Sequence, residues 1–324
     1  MNENLMPTFQ IAVVIPCYKV GKRVLDVIRR IDDRCWRIYV VDDACPEHVG
    51  DLVETQSTDT RVRVIRHETN LGVGGAVMTG YRRAIDDGAQ IIVKIDGDGQ
   101  LDPALIGEFV APLASGQADY TKGNRFFDLE GLKGMPGIRI FGNAVLSFFS
   151  KLSSGYWDIF DPTNGYTAIR AEIAQKLPFA KISQRFFFES DMLFRLNLLR
   201  AVVMDIPMNA CYGNESSNLR ILPSVGVFFV KHVRNFVTRI FYNYFLRDMS
   251  LASFELILGM VLVLFGGIFG VVRWSQSLAT GVAAPTGTVM LSALPVLLGL
   301  QFLLAFVGYD IGSVPRKPRS RSLL

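Results

Sequence analysis

Two aspartates flank a glycine in Asp96-Gly97-Asp98-Gly99-Gln100, immediately after the apolar run Ile91-Ile92-Val93-Lys94-Ile95. The run reads as a buried strand, and carboxylates at i and i+2 beyond its end can converge on one hard cation. Mg²⁺ and Mn²⁺ favour such oxygen donors and keep coordination positions open for phosphate oxygens. The pentapeptide therefore points to a metal-held diphosphate, of the kind a nucleotide-sugar carries. An Asp/Gly-rich strand end is also ordinary turn chemistry, so its meaning rests on the rest of the chain.

The first two hundred residues alternate strand and helix signals. Ile11–Ile15, Ile38–Val41, Val62–Ile65 and Ile91–Ile95 are apolar runs, while Val24–Ile31 and Val73–Ala84 have helical spacing. Strands apolar throughout, with helices between them, predict a mainly parallel sheet covered on both faces. Ligands of such sheets gather beyond the carboxyl ends of the strands. Here those ends carry Pro16-Cys17-Tyr18, Asp42-Asp43, Asn70-Leu71-Gly72 and Asp96-Gly97-Asp98, so all four should lie along one edge. The first loop lacks the GxGxxG of dinucleotide folds, and there is no GxxxxGK[ST] phosphate loop. Gly72, Gly74 and Gly75 have no lysine after them and read as a tight turn into a helix close to the sheet.

The chain of 324 residues is half hydrophobic with a net charge of only +4. Acidic and basic residues mix through its first two thirds, which argues against a nucleic-acid binder. The apolar excess collects after about residue 250. Leu251–Val272 and Thr288–Tyr309 are each long enough to cross a hydrocarbon core of about 30 Å as a helix. Lys231, Arg234, Arg239 and Arg247 precede the first run, and Arg316, Lys317, Arg319 and Arg321 follow the second. The connecting loop, expected at Arg273–Gly287, carries only Arg273. Cationic flanks stay inside, so the expected topology is an integral multi-pass hairpin with the catalytic domain and both termini cytoplasmic. Val225–Leu246 mixes aromatics, aliphatics and cations as an interfacial amphipathic helix would. Phe229, Val233, Phe236, Val237 and Ile240 form its apolar stripe, and Lys231, Arg234 and Arg239 are expected at lipid phosphates. Cys17, Cys35, Cys45 and Cys211 have no CxxC or zinc spacing and read as small core hydrophobes. The start MNENLMPTFQ lacks the pattern of a signal peptide, in keeping with reduced thiols in the cytosol.

The ordered pieces Val14-Ile15-Pro16-Cys17-Tyr18, Val40-Val41-Asp42-Asp43, Asn70 to Ala76, Asp96 to Gln100, Gly123-Asn124-Arg125-Phe126, Asp161 to Tyr166 and Phe186 to Asp191 resemble the family-2 glycosyltransferases. More closely, they resemble the polyprenyl-phosphate branch related to dolichyl-phosphate mannose synthase. The resemblance spans about residues 10–220. It implies a glycosyltransferase A-type fold: a mostly parallel sheet sandwiched by helices in a catalytic domain over 1–222, an interfacial helix region over 223–248 and a two-helix membrane hairpin with a basic tail over 249–324.

The resemblance also implies roles. Pro16, Tyr18, Asp42 and Asp43 would hold the nucleotide base and ribose, with Asn70 and Gly72 among the substrate contacts. Asp96 and Asp98 would hold Mg²⁺ or Mn²⁺ at the diphosphate, with Gln100 beside it. Arg125 would meet the acceptor phosphate, and Arg139 with Asn143 on one helix face would form a second basic and polar pair. Asp161 would face sugar and acceptor, and Glu189 and Asp191 match an acidic pair that serves as base in relatives with hydroxyl acceptors. In place of a basic loop that closes over the diphosphate, residues 212–220 offer Arg220 as the only cation. The implied reaction is inverting transfer from a nucleotide-sugar donor to polyprenyl phosphate at a lipid bilayer, without nucleic acid and with a homo-oligomer left open. A processive polysaccharide synthase and a non-catalytic membrane scaffold are the rival readings.

Overall fold

The computed structural model describes residues 9–127, 137–208 and 221–320. Two compact units divide the chain: one runs up to Phe236 and takes in the tail from Pro315, and the other is Val237–Val314.

In the first unit the apolar runs form β1 (Ile11–Cys17), β2 (Cys35–Asp42), β3 (Val62–Arg66) and β4 (Ile91–Lys94), joined by β5 (Tyr120–Asn124), β6 (Thr167–Arg170) and β7 (Val203–Pro207). They make one seven-stranded sheet in the order β3-β2-β1-β4-β6-β5-β7. The pairings β1–β2, β1–β4, β2–β3 and β5–β7 are parallel, and β6 runs antiparallel to β4 and β5. The carboxyl ends of β1 to β4 therefore share one edge. Because β6 runs the other way, it starts at that same edge.

Helices cover both faces, as the apolar strands require. Val13 and Ile15 of β1 join Val24 and Ile28 of α1 (Arg23–Arg29), Val49 and Val53 of α2 (Val49–Gln56), and Phe109 of α4 (Ile106–Ala114) in one buried cluster. Each such aliphatic side chain contributes about 1.5–3 kcal/mol by leaving water. Val14, of opposite parity, faces α3 (Val73–Asp86). There a methyl group on Gly80 would overlap the Val14 side chain, so the helix rides close to the strand. Three further helices of this unit are α5 (Gly137–Ser154), α6 (Ala171–Ala174) and α7 (Phe188–Leu198). Cys17, Cys35 and Cys45 are free and buried, as a small hydrophobe would be; Cys211 lies outside the described residues.

The tail belongs to this unit through one carboxylate. Asp119, fully buried just before β5, accepts the Val202 amide at 2.8 Å. It also accepts the Arg319 amide at 2.9 Å, the Ser320 amide at 2.8 Å and the Ser320 hydroxyl at 2.5 Å. The segment after the hairpin is thus clasped to the sheet domain.

Helix α8 (Ile221–Phe241) leads out of the first unit. Phe229, Val233 and Val237 of the expected stripe are exposed, whereas Ile240 is buried. Arg239 corrects the expectation of a lipid-facing cation: it is 1% exposed and pairs with Asp310 at 2.6 and 3.0 Å. The Tyr244 hydroxyl donates to the same carboxylate at 2.6 Å. Lys231 turns to Ser183, at 3.3 Å, and lies 5.3 Å from the centre of the Phe187 ring.

The second unit is built on α9 (Leu251–Thr280) and α10 (Thr286–Gly312), each holding an 18-residue stretch of mean hydropathy 2.4 and 2.2 respectively. Small residues let the two backbones approach, as in membrane helix pairs. A Cβ on Gly299 would stand 2.8 Å from the Gly259 carbonyl, and the Ser292 hydroxyl donates to the Gly266 carbonyl at 3.1 Å. The expected connecting loop is corrected. Arg273 and Trp274 are still helical, because the breaker comes only at Gly281, whose φ of +68° caps α9.

Candidate active site

The four strand ends do converge. A cleft of about 550 Å³ is lined by Pro16, Cys17, Tyr18, Asp43, Asn70, Gly72, Asp96 and Asp98 among others. Its remaining rim includes Lys19, Val20, Arg185 and Phe186.

Asp43 builds one wall. Its two carboxylate oxygens accept the amides of Leu71 and Gly72, both at 2.8 Å, and His67 Nδ1 lies 2.7 Å from it. His67 Nε2 meets the Thr79 hydroxyl at 2.9 Å, and the Asn70 amide group donates to the Asp43 carbonyl at 3.1 Å. The Asn70–Gly72 turn is therefore held against β2 by a single carboxylate. Gly72 needs to be glycine twice over. Its φ is +86°, and a Cβ there would stand 2.7 Å from the Gln184 carbonyl. Asp42 points elsewhere: it accepts the amides of Cys45 and Gly50, each at 2.8 Å, and organises the entry to α2. Of the expected Asp42–Asp43 pair, Asp43 is among the residues lining the cleft and Asp42 is not.

The other wall is an acid cluster around a buried lysine. Lys94, 1% exposed, reaches Asp96 Oδ1 at 2.8 Å and Glu189 Oε1 at 3.5 Å. Burial alone would lower the ammonium pKa, but Asp96 and Glu189 outweigh it and hold it above the ordinary lysine value. Burial pushes the Glu189 carboxyl up, against the pull of Lys94. Gly165, just before β6, packs directly on this pair, and a Cβ there would overlap the Asp96 carboxylate. Asp98 accepts the Gln100 amide at 3.0 Å, and burial, followed by the charge of Asp96, raises its pKa. The sequence pattern hid Lys94 inside an apolar strand, and only its two acidic partners reveal its role.

Asp191 separates from Glu189. Its carboxylate accepts the Ser183 amide at 2.8 Å and the Asn235 amide group at 3.0 Å, and Arg195 sits at 3.4 Å. These contacts tie α7 to the chain before it and to α8, and Asp191, expected as a base, is not among the residues lining the cleft.

Beyond β5 the structure joins two residues that were assigned separately. Arg125 Nε and Nη2 make a two-pronged contact with the Asp161 carboxylate, both at 2.7 Å. Asn164 adds a bond at 3.1 Å, and Lys122 donates to the Asp161 carbonyl as well as to those of Phe160 and Gly123, each at 3.2 Å. Burial would raise the Asp161 pKa, but Arg125 and Lys122 overcome it and hold the carboxyl below its usual range. Asp161 adopts a positive φ of +51°. Asn143 is half-buried on α5. The side chain of Arg139 and all of Arg220 lie outside the described residues.

The donor set fits a divalent ion. Asp96 and Asp98 are oxygen ligands lining one cleft, and a cation would relieve their mutual repulsion. Among the described residues no group of three His, Cys, Asp or Glu side chains comes together. The protein thus offers few ligands and leaves room for diphosphate oxygens, as Mg²⁺ commonly does. Gln100 contributes its backbone amide to Asp98 and is not part of the cleft lining.

The family model described as "Glycosyl transferase family 2" matches residues 12–178, just over half of the chain. The chain belongs to this family. Among its relatives, UDP-N-acetylglucosamine–dolichyl-phosphate N-acetylglucosaminyltransferase of Methanococcus voltae is 26% identical over 64% of this chain and 87% of its own length. Polyprenol monophosphomannose synthase of Mycolicibacterium smegmatis is 25% identical over 63% and 78%. Undecaprenyl-phosphate mannosyltransferase of Micrococcus luteus is 27% identical over 61% and 82%. Two solved structures share the fold. Mannosyl-3-phosphoglycerate synthase of Rubrobacter xylanophilus has a TM-score of 0.54 at 16% identity, covering 75% of this chain and 77% of that one. Glucosyl-3-phosphoglycerate synthase of Mycobacterium tuberculosis, crystallised with Mn²⁺ and UDP, has a TM-score of 0.51 at 18% identity, covering 71% and 80%.

Proposed function

We propose that this glycosyltransferase moves a sugar from a nucleotide-sugar to polyprenyl phosphate at the cytosolic face of a membrane, with inversion at the anomeric carbon. One observation carries the reading: the ends of four parallel strands bring Tyr18, Asp43, the Asn70–Gly72 turn and the Asp96/Asp98 pair to a single cleft. The names of the relatives supply the acceptor class. A divalent ion, Mg²⁺ or Mn²⁺, would be held by Asp96 and Asp98, and when bound it offsets the negative charge of the diphosphate.

In the reaction an oxygen of the acceptor phosphate forms a bond to the anomeric carbon. The bond from that carbon to the diphosphate oxygen breaks, and the electron pair stays with the diphosphate. A phosphate monoester has a second pKa near 6, so the nucleophile is mostly dianionic at neutral pH and needs no strong base. It needs aiming and charge compensation. Arg125 is the cation assigned to the acceptor phosphate, and Asp161 presets its guanidinium plane. Lys94 holds Asp96 in place from below, at 2.8 Å.

The clasp of Arg319 and Ser320 on Asp119 supports a topology in which the tail and the catalytic domain lie on the same side of the bilayer. The α9–α10 hairpin would then cross twice, with α8 at the interface and both termini cytoplasmic. Incubating membranes that hold the protein with radiolabelled nucleotide-sugars tests the reading. A labelled lipid, labile to mild acid and absent after chelation of divalent ions, is the expected product. A labelled polymer, or no transfer with any donor, would favour one of the rival readings instead.

A further inference from the structure

We propose that Arg185 is the cation that receives the departing diphosphate, a role resting on the nucleotide-sugar reading above and so far given to no described residue. The need for such a group follows from charge balance. When the sugar–oxygen bond breaks, the diphosphate keeps the electron pair and gains one negative charge. The carboxylates of the cleft cannot help, and its lining carries two cations, Lys19 and Arg185. Lys94 is locked between Asp96 and Glu189, while Lys19 lies 5.4 Å from the centre of the Tyr18 ring. Arg185 lines the same cleft, is exposed to it, and has no ion pair among the described residues.

Its backbone is also fixed where a cation is wanted. The Gln184 carbonyl accepts the Gly75 amide at 3.1 Å, and a Cβ on Gly72 would stand 2.9 Å from Arg185 Cγ. The stem of Arg185 therefore runs over the glycine whose amide binds Asp43. On the other side Phe187 and Phe188 are buried, at 2% and 1% exposure, so the rim is pinned on both flanks. Arg185 and the half-exposed Phe186 of this rim line the cleft. A guanidinium fork held this way suits paired phosphate oxygens better than an ammonium would. The site thus has a cation from the chain between β6 and α7, independent of residues 212–220.

The test uses the full chain in phosphatidylcholine/phosphatidylglycerol nanodiscs with MnCl₂, measuring affinity for UDP and GDP against UMP and GMP. In Arg185→Gln, affinity for the preferred diphosphate should fall about tenfold while affinity for the matching monophosphate stays within about twofold, as expected for a charge-assisted contact to the outer phosphate. Turnover should fall about a hundredfold, the scale of removing one donor from a developing anion, with Arg185→Lys between the two. Equal loss of diphosphate and monophosphate affinity in both variants would mean mere packing and would overturn the proposal. So would an unchanged Arg185→Gln, or a selective diphosphate loss found in Arg220→Gln alone. Failure of the parent chain to bind either diphosphate would instead overturn the donor reading, and this inference with it.

Discussion

The donor cleft and the Arg125–Asp161 corner handle charge in opposite ways. In the corner every charge is answered within the protein: two guanidinium bonds at 2.7 Å, Asn164 at 3.1 Å and the Lys122 ammonium close by. In the cleft Asp96 has Lys94, while Asp98 accepts the Gln100 amide at 3.0 Å and meets the repulsion of Asp96, with Arg23 and Lys94 acting more weakly on it. One region is electrostatically complete until a phosphate competes for its arginine. The other is incomplete until a cation arrives. The two substrates should accordingly be bound by different logic, displacement on one side and charge filling on the other.

Removing Lys94 should break that contrast most severely. Lys94→Met leaves the buried Glu189 and the partly exposed Asp96 without their shared cation, and loss of one partner from a buried ion pair costs up to about 3–5 kcal/mol. Chemical denaturation should register that loss together with the disappearance of transfer. A smaller cost would mean that water reaches the pair. Arg125→Gln strands the Asp161 carboxylate, with an expected cost of about 3 kcal/mol. In the Arg125→Gln/Asp161→Asn double variant most of that stability should return while use of the lipid acceptor stays impaired. Recovery of both would make the pair structural only. Gly72→Ala forces a left-handed alanine against the Gln184 carbonyl and should cost about 1–3 kcal/mol, with weaker donor binding.

The smallest effects are in pH dependence. Burial pushes Asp205 up to about 6, because one of its oxygens finds no hydrogen bond among the described residues. Its folded pKa is raised, so it stabilises the fold below pH 4 and loses that contribution as pH rises through about 6. Burial lowers His232 to about 4, with only the Ser153 hydroxyl on Nδ1, at 2.7 Å. Its folded pKa is depressed, so stability present above about 6.5 is lost as pH falls toward 4. Asp205→Asn should steepen the loss of stability on acidification between pH 6 and 4, and His232→Gln should flatten it. Thermal midpoints measured across that range would show either the opposite slopes or their absence.

Much of the cleft was legible because β1 to β4 are apolar runs that each stop at polar or glycine residues, so one topological rule places all four ends together. What stayed hidden depended on contacts between distant parts of the chain. Lys94 looks like a strand residue until Glu189 comes to it from α7. Asp42 and Asp43 look equivalent in sequence, yet the first bonds the entry to α2 and the second the Asn70–Gly72 turn. Asp119 carries no motif, since its partners lie two hundred residues away. Arg273 looked like a loop residue because hydropathy falls there, whereas polarity alone does not stop a helix before Gly281. The Arg125–Asp161 pairing lies at two family motifs, but only the fold shows that each occupies the other.

The central claim is that Asp96 and Asp98 complete their cleft with a divalent ion and a diphosphate. Titration of Mn²⁺ into the full chain with saturating nucleoside diphosphate, for the parent and for Asp98→Asn, tests it most directly. The account predicts that diphosphate binding in the parent depends on the metal, and that in Asp98→Asn metal affinity falls at least about tenfold, with transfer reduced by two or more orders of magnitude. Equal metal affinity and transfer in the two proteins would contradict it.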